Sequence, residues 1–320
     1  MENLKIFGLS QSVKLAQDIA NHLGIPQGIN HLQTFRDAEM SPQFDEHIRD
    51  KTVFIVGSTH NSDAIVEMIL TLDAARRNGV KDVSVIMPYL GYARQDRRSS
   101  QRDGIGSAAM ARSYLANGLG RIIIADLHAT QTEAIFNEVI NLPGRDIFLV
   151  DEQVKRLLAQ HDNFVFATPD NGGYVRAKKF ADATGLGLAV FDKHRKVANE
   201  IEDMRLISPV EAIKGKRVAF VDDMTDTAGT ICRAAKLAMD LGAEETYAFI
   251  THPLLTDNAY DTIAKSCLTR VFVSDTLPLP TERNGFPLPD KISVISTKTI
   301  FANVIQAIYE KRSTRTFTNE

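Results

Sequence analysis

The chain has 320 residues, 44% hydrophobic and 24% charged, with a formal net charge of −3 and a pI of about 6.3. That is ordinary for a globular protein of about two domains. It gives no electrostatic case for a nucleic-acid partner or an anionic membrane surface. Along the chain, short β-rich runs alternate with helical patterns. "LKIFGL" precedes the amphipathic "SVKLAQDIANHLG". "TVFIVG" precedes "DAIVEMILTLDAARRNG" and then "VSVIMPYL". "RIIIADLH", "NFVFATPD", "LGLAVFD", "RVAFVDD", "TYAFITHPLL", "RVFVSDT" and "KISVIS" follow. Many of these runs are apolar on both faces, as expected of parallel strands covered by helices. Strands alternating with helices give an α/β class.

The start, "MENLKIFGLSQ", lacks a basic-then-apolar leader pattern. No apolar run approaches the roughly 18 residues of a membrane span. The chain therefore reads as cytoplasmic. Cys232 and Cys267 follow no metal-ligand spacing and read as reduced, buried thiols.

The segment from Val53 to Pro88 resembles the segment from Val218 to Pro253. Each has a strand, a loop of small and hydroxyl residues, a helix ending near glycine, a second strand and a proline. This self-similarity predicts two similar domains, each a mainly parallel sheet flanked by helices. The boundaries fall at 1–147 and 148–295. Residues 296–320 form a final helix, about Ile300 to Lys311, and a polar tail that pack on the N-terminal domain. Gly57 and Ser58 stand where the second copy has Asp222 and Asp223. The chemistry is therefore placed mainly in the second copy.

Asp222 and Asp223 end an apolar strand, at the carboxyl edge of a parallel sheet, where open α/β folds bind ligands. Two adjacent carboxylates there repel one another unless something cationic or hydrogen-bonding meets them. The loop that follows, Asp226, Thr227, Ala228, Gly229 and Thr230, opens a helix. Free N–H groups and hydroxyls there suit a phosphate. Carboxylates beside a phosphate cradle fit a phosphorylated sugar. Four further strand ends carry charge or glycine. "PYLGYARQDRR" brings arginine forks suited to phosphate oxygens. "ADLHATQTEAIF" carries Asp126 and His128. "ATPDNGGYVRAKKFAD" sets Asp170 before a glycine pair and a helix. "FDKHR" carries Lys193 and Arg195.

"VDD" followed by "TAGT" resembles the phosphoribosyl pyrophosphate signature of type I phosphoribosyltransferases and ribose-phosphate pyrophosphokinases. The whole set, in this order, resembles the ribose-phosphate pyrophosphokinases from "LKIFGLS" to about residue 300. Simple phosphoribosyltransferases lack the "YARQDR", "DLH" and "DKHR" motifs and the duplicated domain. The resemblance implies two type I phosphoribosyltransferase-like domains. It also implies transfer of the β,γ-diphosphoryl group of ATP to the C1 hydroxyl of ribose 5-phosphate, with Mg²⁺. By it, Asp222 and Asp223 bind the ribose hydroxyls and Asp226 to Thr230 the 5-phosphate. Asp170, Asn171, Gly172 and Gly173 form the pyrophosphate loop, and His128 and Asp170 are Mg²⁺ ligands. Arg94, Gln95 and Asp96 bind ATP, joined by Phe35, Asp37 and Glu39 from a neighbouring subunit. Lys193, Arg195 and Arg97 stabilise the transferring group. A dimer-based homo-oligomer is implied, with a hexamer as one size it can reach.

Two regions depart from the family pattern. "SSQRDGIGS" has Asp103-Gly104 where many members read Glu-Pro, and "KRSTRTFTNE" matches the family's tail only loosely. Regulation by ADP or phosphate is therefore left open. Two other readings stand beside the synthase: a phosphoribosyltransferase, and a non-catalytic paralogue that regulates an active synthase. Gly104 to Ala109 mimics a dinucleotide fingerprint but follows a polar loop rather than a strand, which excludes it.

Overall fold

The computed structural model describes residues 1, 3–159, 163–194 and 203–318; Arg195 lies outside them. The chain divides into two compact units. Unit 1 comprises Met1–Pro143, Thr276–Pro278 and Ser296–Glu320, and unit 2 comprises Gly144–Asp275 and Leu279–Ile295.

Unit 1 begins with β1 (Leu4–Gly8) and α1 (Val13–His22). A separate two-stranded ribbon follows, β2 (Asn30–Thr34) and β3 (Met40–Phe44). Then come β4 (Thr52–Val56), α2 (Ser62–Arg77), β5 (Asp82–Met87), α3 (Gly106–Ala116), β6 (Arg121–Ala125) and β7 (Val139–Leu142). The sheet is parallel, in the order β1-β4-β5-β6-β7. Its strands are apolar on both faces because both are covered. Val53, Ile55, Val85, Met87, Ile122 and Ile124 pack with Met68 and Leu72 of α2 and with Tyr114 of α3. The Asn61 side chain caps α2 by accepting from the Ala64 N–H at 2.8 Å.

Unit 2 begins with α4 (Gly144–Phe148) and α5 (Glu152–Ala159). It continues with β8 (Phe164–Thr168), α6 (Tyr174–Thr184), β9 (Gly187–His194), β10 (Asp203–Leu206), β11 (Arg217–Thr225) and α7 (Gly229–Asp240). β12 (Glu245–Pro253), α8 (Ala259–Lys265), β13 (Arg270–Ser274), the hairpin β14 (Glu282–Arg283) and β15 (Phe286–Pro287), and β16 (Ile292–Ile295) complete it. The sheet order is β10-β9-β8-β11-β12-β13-β16, and β10 runs antiparallel to β9. One face packs Val218 and Phe220 against Ile231 and Ala235 of α7. Phe249 stacks on Phe272 with centroids 4.9 Å apart and also meets Phe148 and Phe180. The last two helices, α9 (Lys298–Tyr309) and α10 (Arg315–Thr318), belong to unit 1, where α9 packs on α1 and α10 lies by β7.

The repeat emerges as a shared sheet order: β8-β11-β12-β13-β16 repeats β1-β4-β5-β6-β7. Unit 2 adds β9 and β10 beside β8. The chain leaves β8 on one side, to β9, and returns on the other, to β11. That reversal is the switch point at which open α/β sheets leave a crevice above their carboxyl ends.

One expectation about the thiols fails. Cys267 is exposed and Cys232 only half-buried, and both are free. Burial pushes the Cys232 thiol up to about 11. Among the described residues no helix is long and apolar enough to cross a membrane.

Candidate active site

The crevice in unit 2 opens where one ladder stops before the other. β8 and β11 pair only as far as Ala167 and Phe220, while β11 stays paired with β12 out to Pro253. Asp222 and Asp223 follow at this one-sided end of β11. Asp223 is 3% exposed, and its N–H donates to Asp222 Oδ1 at 2.9 Å. Their counter-ion is Arg176, a residue not singled out from sequence. Its Nη1 lies 3.3 Å from Asp223 Oδ1. Burial is the main force on the Asp222 carboxyl and lifts it well above the usual carboxylate range. The Asp223 charge adds to the lift, Arg176 opposes it, and Asp170 adds again.

The loop after β8 forms the other wall. Asp170 Oδ1 accepts from the Gly173 N–H at 3.1 Å, which closes a 3-10 turn over Asn171–Gly173. The Thr168 hydroxyl donates to the Asp170 carbonyl. A Cβ on Gly173 would lie 2.5 Å from Thr168 Oγ1, so a larger residue there must displace that hydroxyl. Asn171 Nδ2 donates to Asp192 Oδ1 at 2.7 Å. Lys193, next along β9 and half-buried, points to the opposite face of the sheet from Asp192.

The loop after β11 leads into α7. Asp226 accepts from the Thr256 hydroxyl, and its carbonyl accepts from the Thr256 N–H at 3.0 Å. Ala228 is buried and left-handed, with φ of 62°. Gly229 follows as the first helical residue, Thr227 is exposed and Thr230 is half-buried. No side chain caps α7. Its first N–H groups and dipole are thus available to an anion beside the carboxylates.

Unit 1 gathers a second group. Arg94 and Gln95 line a cavity of about 580 Å³ with Thr59, His60, Asn61 and Tyr92. His60 and Tyr92 were not expected from sequence, and Tyr92 has φ of 61°. Burial lowers the His60 pKa, against a hydrogen bond with the Ser58 backbone that raises it. Asp96 accepts from Gln131 Nε2, which ties the arginine run to the segment holding Asp126 and His128. Asp126 is buried, and His128, two residues on, is exposed. Arg97 is exposed in the turn that follows. Phe35, Asp37 and Glu39 do not join this cavity. They form the tip of the β2–β3 ribbon, where Phe35 is 46% exposed. Glu39 lines a separate hollow of about 360 Å³ with Asp63, Val66 and Leu70.

Among the described residues, no three His, Cys, Asp or Glu side chains are clustered so as to hold a metal by themselves. The carboxylates present suit Mg²⁺, which usually takes one or two carboxylates together with substrate phosphates and waters.

Residues 4–118 match the N-terminal domain of ribose phosphate pyrophosphokinase, and residues 203–317 match the phosphoribosyl synthetase-associated domain. A ribose-phosphate pyrophosphokinase 1 of Streptococcus pneumoniae is 39% identical over 315 residues, covering 97% of this chain and 95% of its own. The chain belongs to the ribose-phosphate pyrophosphokinase family. The ribose-phosphate pyrophosphokinase of Campylobacter jejuni is 38% identical and covers 98% of each chain. The crystal structure of phosphoribosylpyrophosphate synthetase from Mycobacterium smegmatis superposes with a TM-score of 0.86 at 29% identity. It covers 97% of this chain and 99% of that one. The family's two-sheet α/β architecture is thus the architecture of this chain.

Proposed function

We propose that this chain transfers the β,γ-diphosphoryl group of ATP to the C1 hydroxyl of ribose 5-phosphate, giving 5-phosphoribosyl 1-pyrophosphate and AMP. The observation that carries this reading is the switch point in unit 2. There a closed glycine turn, two adjacent carboxylates and an uncapped helix start share one sheet edge. Unit 2 is the sugar half and unit 1 the nucleotide half. Asp222 and Asp223 accept from the ribose hydroxyls, and Asp226 to Thr230 hold the 5-phosphate. Asp170 to Gly173 receive the pyrophosphate. Arg94, Gln95 and Asp96 hold ATP.

In-line transfer between phosphates is mostly positioning and electrostatic stabilisation. Lys193, Arg195 and Arg97 stabilise charge on the transferring oxygens. His128 and Asp170 would hold Mg²⁺, which supplies positive charge to the polyphosphate. The exposed ribbon tip, Phe35, Asp37 and Glu39, serves the nucleotide site of a second copy in a dimer-based homo-oligomer. The protein works in the cytoplasm, without nucleic acid or membrane.

The test is AMP formation from Mg²⁺-ATP, with and without ribose 5-phosphate, and with phosphate or ADP added. AMP that depends on the sugar supports the reading. AMP that instead requires a nucleobase and phosphoribosyl pyrophosphate points to a phosphoribosyltransferase. Folded protein that binds ATP yet makes no AMP overturns the synthase and leaves the regulatory paralogue.

A further inference from the structure

Asp170, Asp222 and Asp223 bring three carboxylates to one crevice, where the charges of Asp223 and Asp170 both push the Asp222 carboxyl up. Arg176 is the guanidinium set against them. Its position needs a reason. It lies in the first turn of α6, where the helix dipole disfavours a cation. It is also only 17% exposed, and it meets an Asp223 side chain that is 5% exposed. An arginine held at the wrong end of a helix and largely out of water is there for its partner. The chain just before Arg176 belongs to the pyrophosphate turn, since Gly173 immediately precedes α6.

We propose that Arg176 is a positioning residue. It fixes the Asp223 carboxylate, and so leaves the acidic pair in one arrangement for the sugar hydroxyls. Through α6 it also ties that arrangement to the pyrophosphate turn. This rests on the reading of unit 2 as the sugar site. A guanidinium can fix a carboxylate by its planar fork, whereas a lysine ammonium supplies charge without that geometry. An arginine acting only as a packing stem would be replaced without loss by methionine.

The test compares Arg176→Met and Arg176→Lys with wild type in steady-state kinetics. Arg176→Met should raise the KM for ribose 5-phosphate about 10- to 100-fold, the scale on which outer partners of ligating carboxylates act. The KM for ATP should stay unchanged. Arg176→Lys should recover part of the loss, and it serves as the readout if the methionine variant does not fold. Adding Arg176→Met to Asp223→Asn should cost nothing beyond Asp223→Asn alone, because the arginine acts through that carboxylate. A wild-type KM for ribose 5-phosphate, an equal rise for ATP, or a fully additive double variant overturns the proposal. If wild type makes no AMP, the functional reading fails first. Calorimetric binding of ribose 5-phosphate to wild type and to Arg176→Met then decides the positioning role. Weaker binding by the variant supports it, and equal titrations, or none from either protein, overturn it.

Discussion

Val53–Pro88 and Val218–Pro253 trace the same path, yet the second ends in an acidic pair at a switch point and the first in packed small residues beside the Arg94 cavity. In both, a strand, a loop, a helix and a strand lie on neighbouring parallel strands. What differs is the strand beside the path. In unit 1 the excursion after β1 makes the β2–β3 ribbon, which stays off the sheet. In unit 2 the excursion after β8 makes β9 and β10, which join the sheet and turn β8 into an interior strand. Among the described residues, the reversal, and with it this crevice, is found in unit 2. The loop residues follow suit. Ser58 is buried; its hydroxyl donates to the Thr276 carbonyl at 2.6 Å and accepts from the Tyr89 N–H at 3.2 Å. A Cβ on Gly57 would sit 2.6 Å from Leu9. The positions that carry acids in unit 2 are packing positions in unit 1.

The sharpest break between the halves is in rate. Lys193→Ala, in unit 2, should lower kcat by at least ~10²-fold, by analogy with removal of one oxyanion-hole donor. ATP binding should persist, because the residues assigned to ATP lie in unit 1. Measured AMP formation within a few-fold of wild type would remove Lys193 from the mechanism.

The next break is in stability. A Cβ on Gly91 would lie 1.9 Å from the Thr59 carbonyl oxygen, and Gly91 N–H donates to Thr59 Oγ1 at 2.9 Å. The clash is with backbone and cannot be relieved by a rotamer. Gly91→Ala should therefore cost more than about 3 kcal/mol, the upper end for overpacking, seen as a lower melting temperature. Gly173→Ala clashes with a threonine hydroxyl that can turn. It should cost only about 1 kcal/mol while weakening pyrophosphate handling. Equal melting of the two variants would show that the loops tolerate a methyl group equally.

A third difference has the opposite sign. The folded protein raises the Asp222 carboxyl above its ordinary value, chiefly by burial and then by Asp223. The folded state thus holds that proton more tightly than the unfolded chain does. This contribution to stability is fully present below the ordinary carboxylate value of about 4 and is lost as pH rises through the raised value. At neutral pH the free protein carries the cost. Asp222→Asn should then melt a few degrees higher than wild type at pH 7, at about 2–4 °C per kcal/mol. The gap should close near pH 4, and ribose 5-phosphate binding should be lost. A lower melting point at pH 7 would mean that Asp222 is better satisfied than its surroundings indicate.

How much of this was legible follows from the range of each interaction. Runs such as "VFIV" and "RIIIA" announce buried parallel strands because burial on both faces is written in every residue. The internal repeat is visible because it preserves length and order. The joining of β9 to β8 is not visible, since "LGLAVFD" reads as a strand wherever it pairs. The partnership of Arg176 with Asp223 is hidden for the same reason: an arginine in "GGYVRAKK" looks like one of several exposed cations on a helix. Cys267 misled because cysteine is most often buried by type, whereas this one stands exposed in the connection between α8 and β13.

The smallest effect tests the nucleotide half. His60 lines the cavity with Arg94 and Gln95, and its Nε2 lies 3.2 Å from Asn61 Nδ2. Burial holds its pKa below 6.5. A histidine whose folded pKa is depressed contributes stability above about pH 6.5 and loses it as pH falls through the folded value. Wild type should therefore lose slightly more stability than His60→Gln between pH 7 and 5. For a half-buried ring the difference is below about 1 kcal/mol. The more telling measurement is the His60 ring titration itself, followed by NMR with and without ATP. A polyphosphate in this cavity favours the imidazolium and must raise the His60 pKa. By linkage, nucleotide binding must then take up protons near neutral pH. A titration that ignores ATP would place the nucleotide away from Arg94 and Gln95, and the assignment of unit 1 would have to move with it.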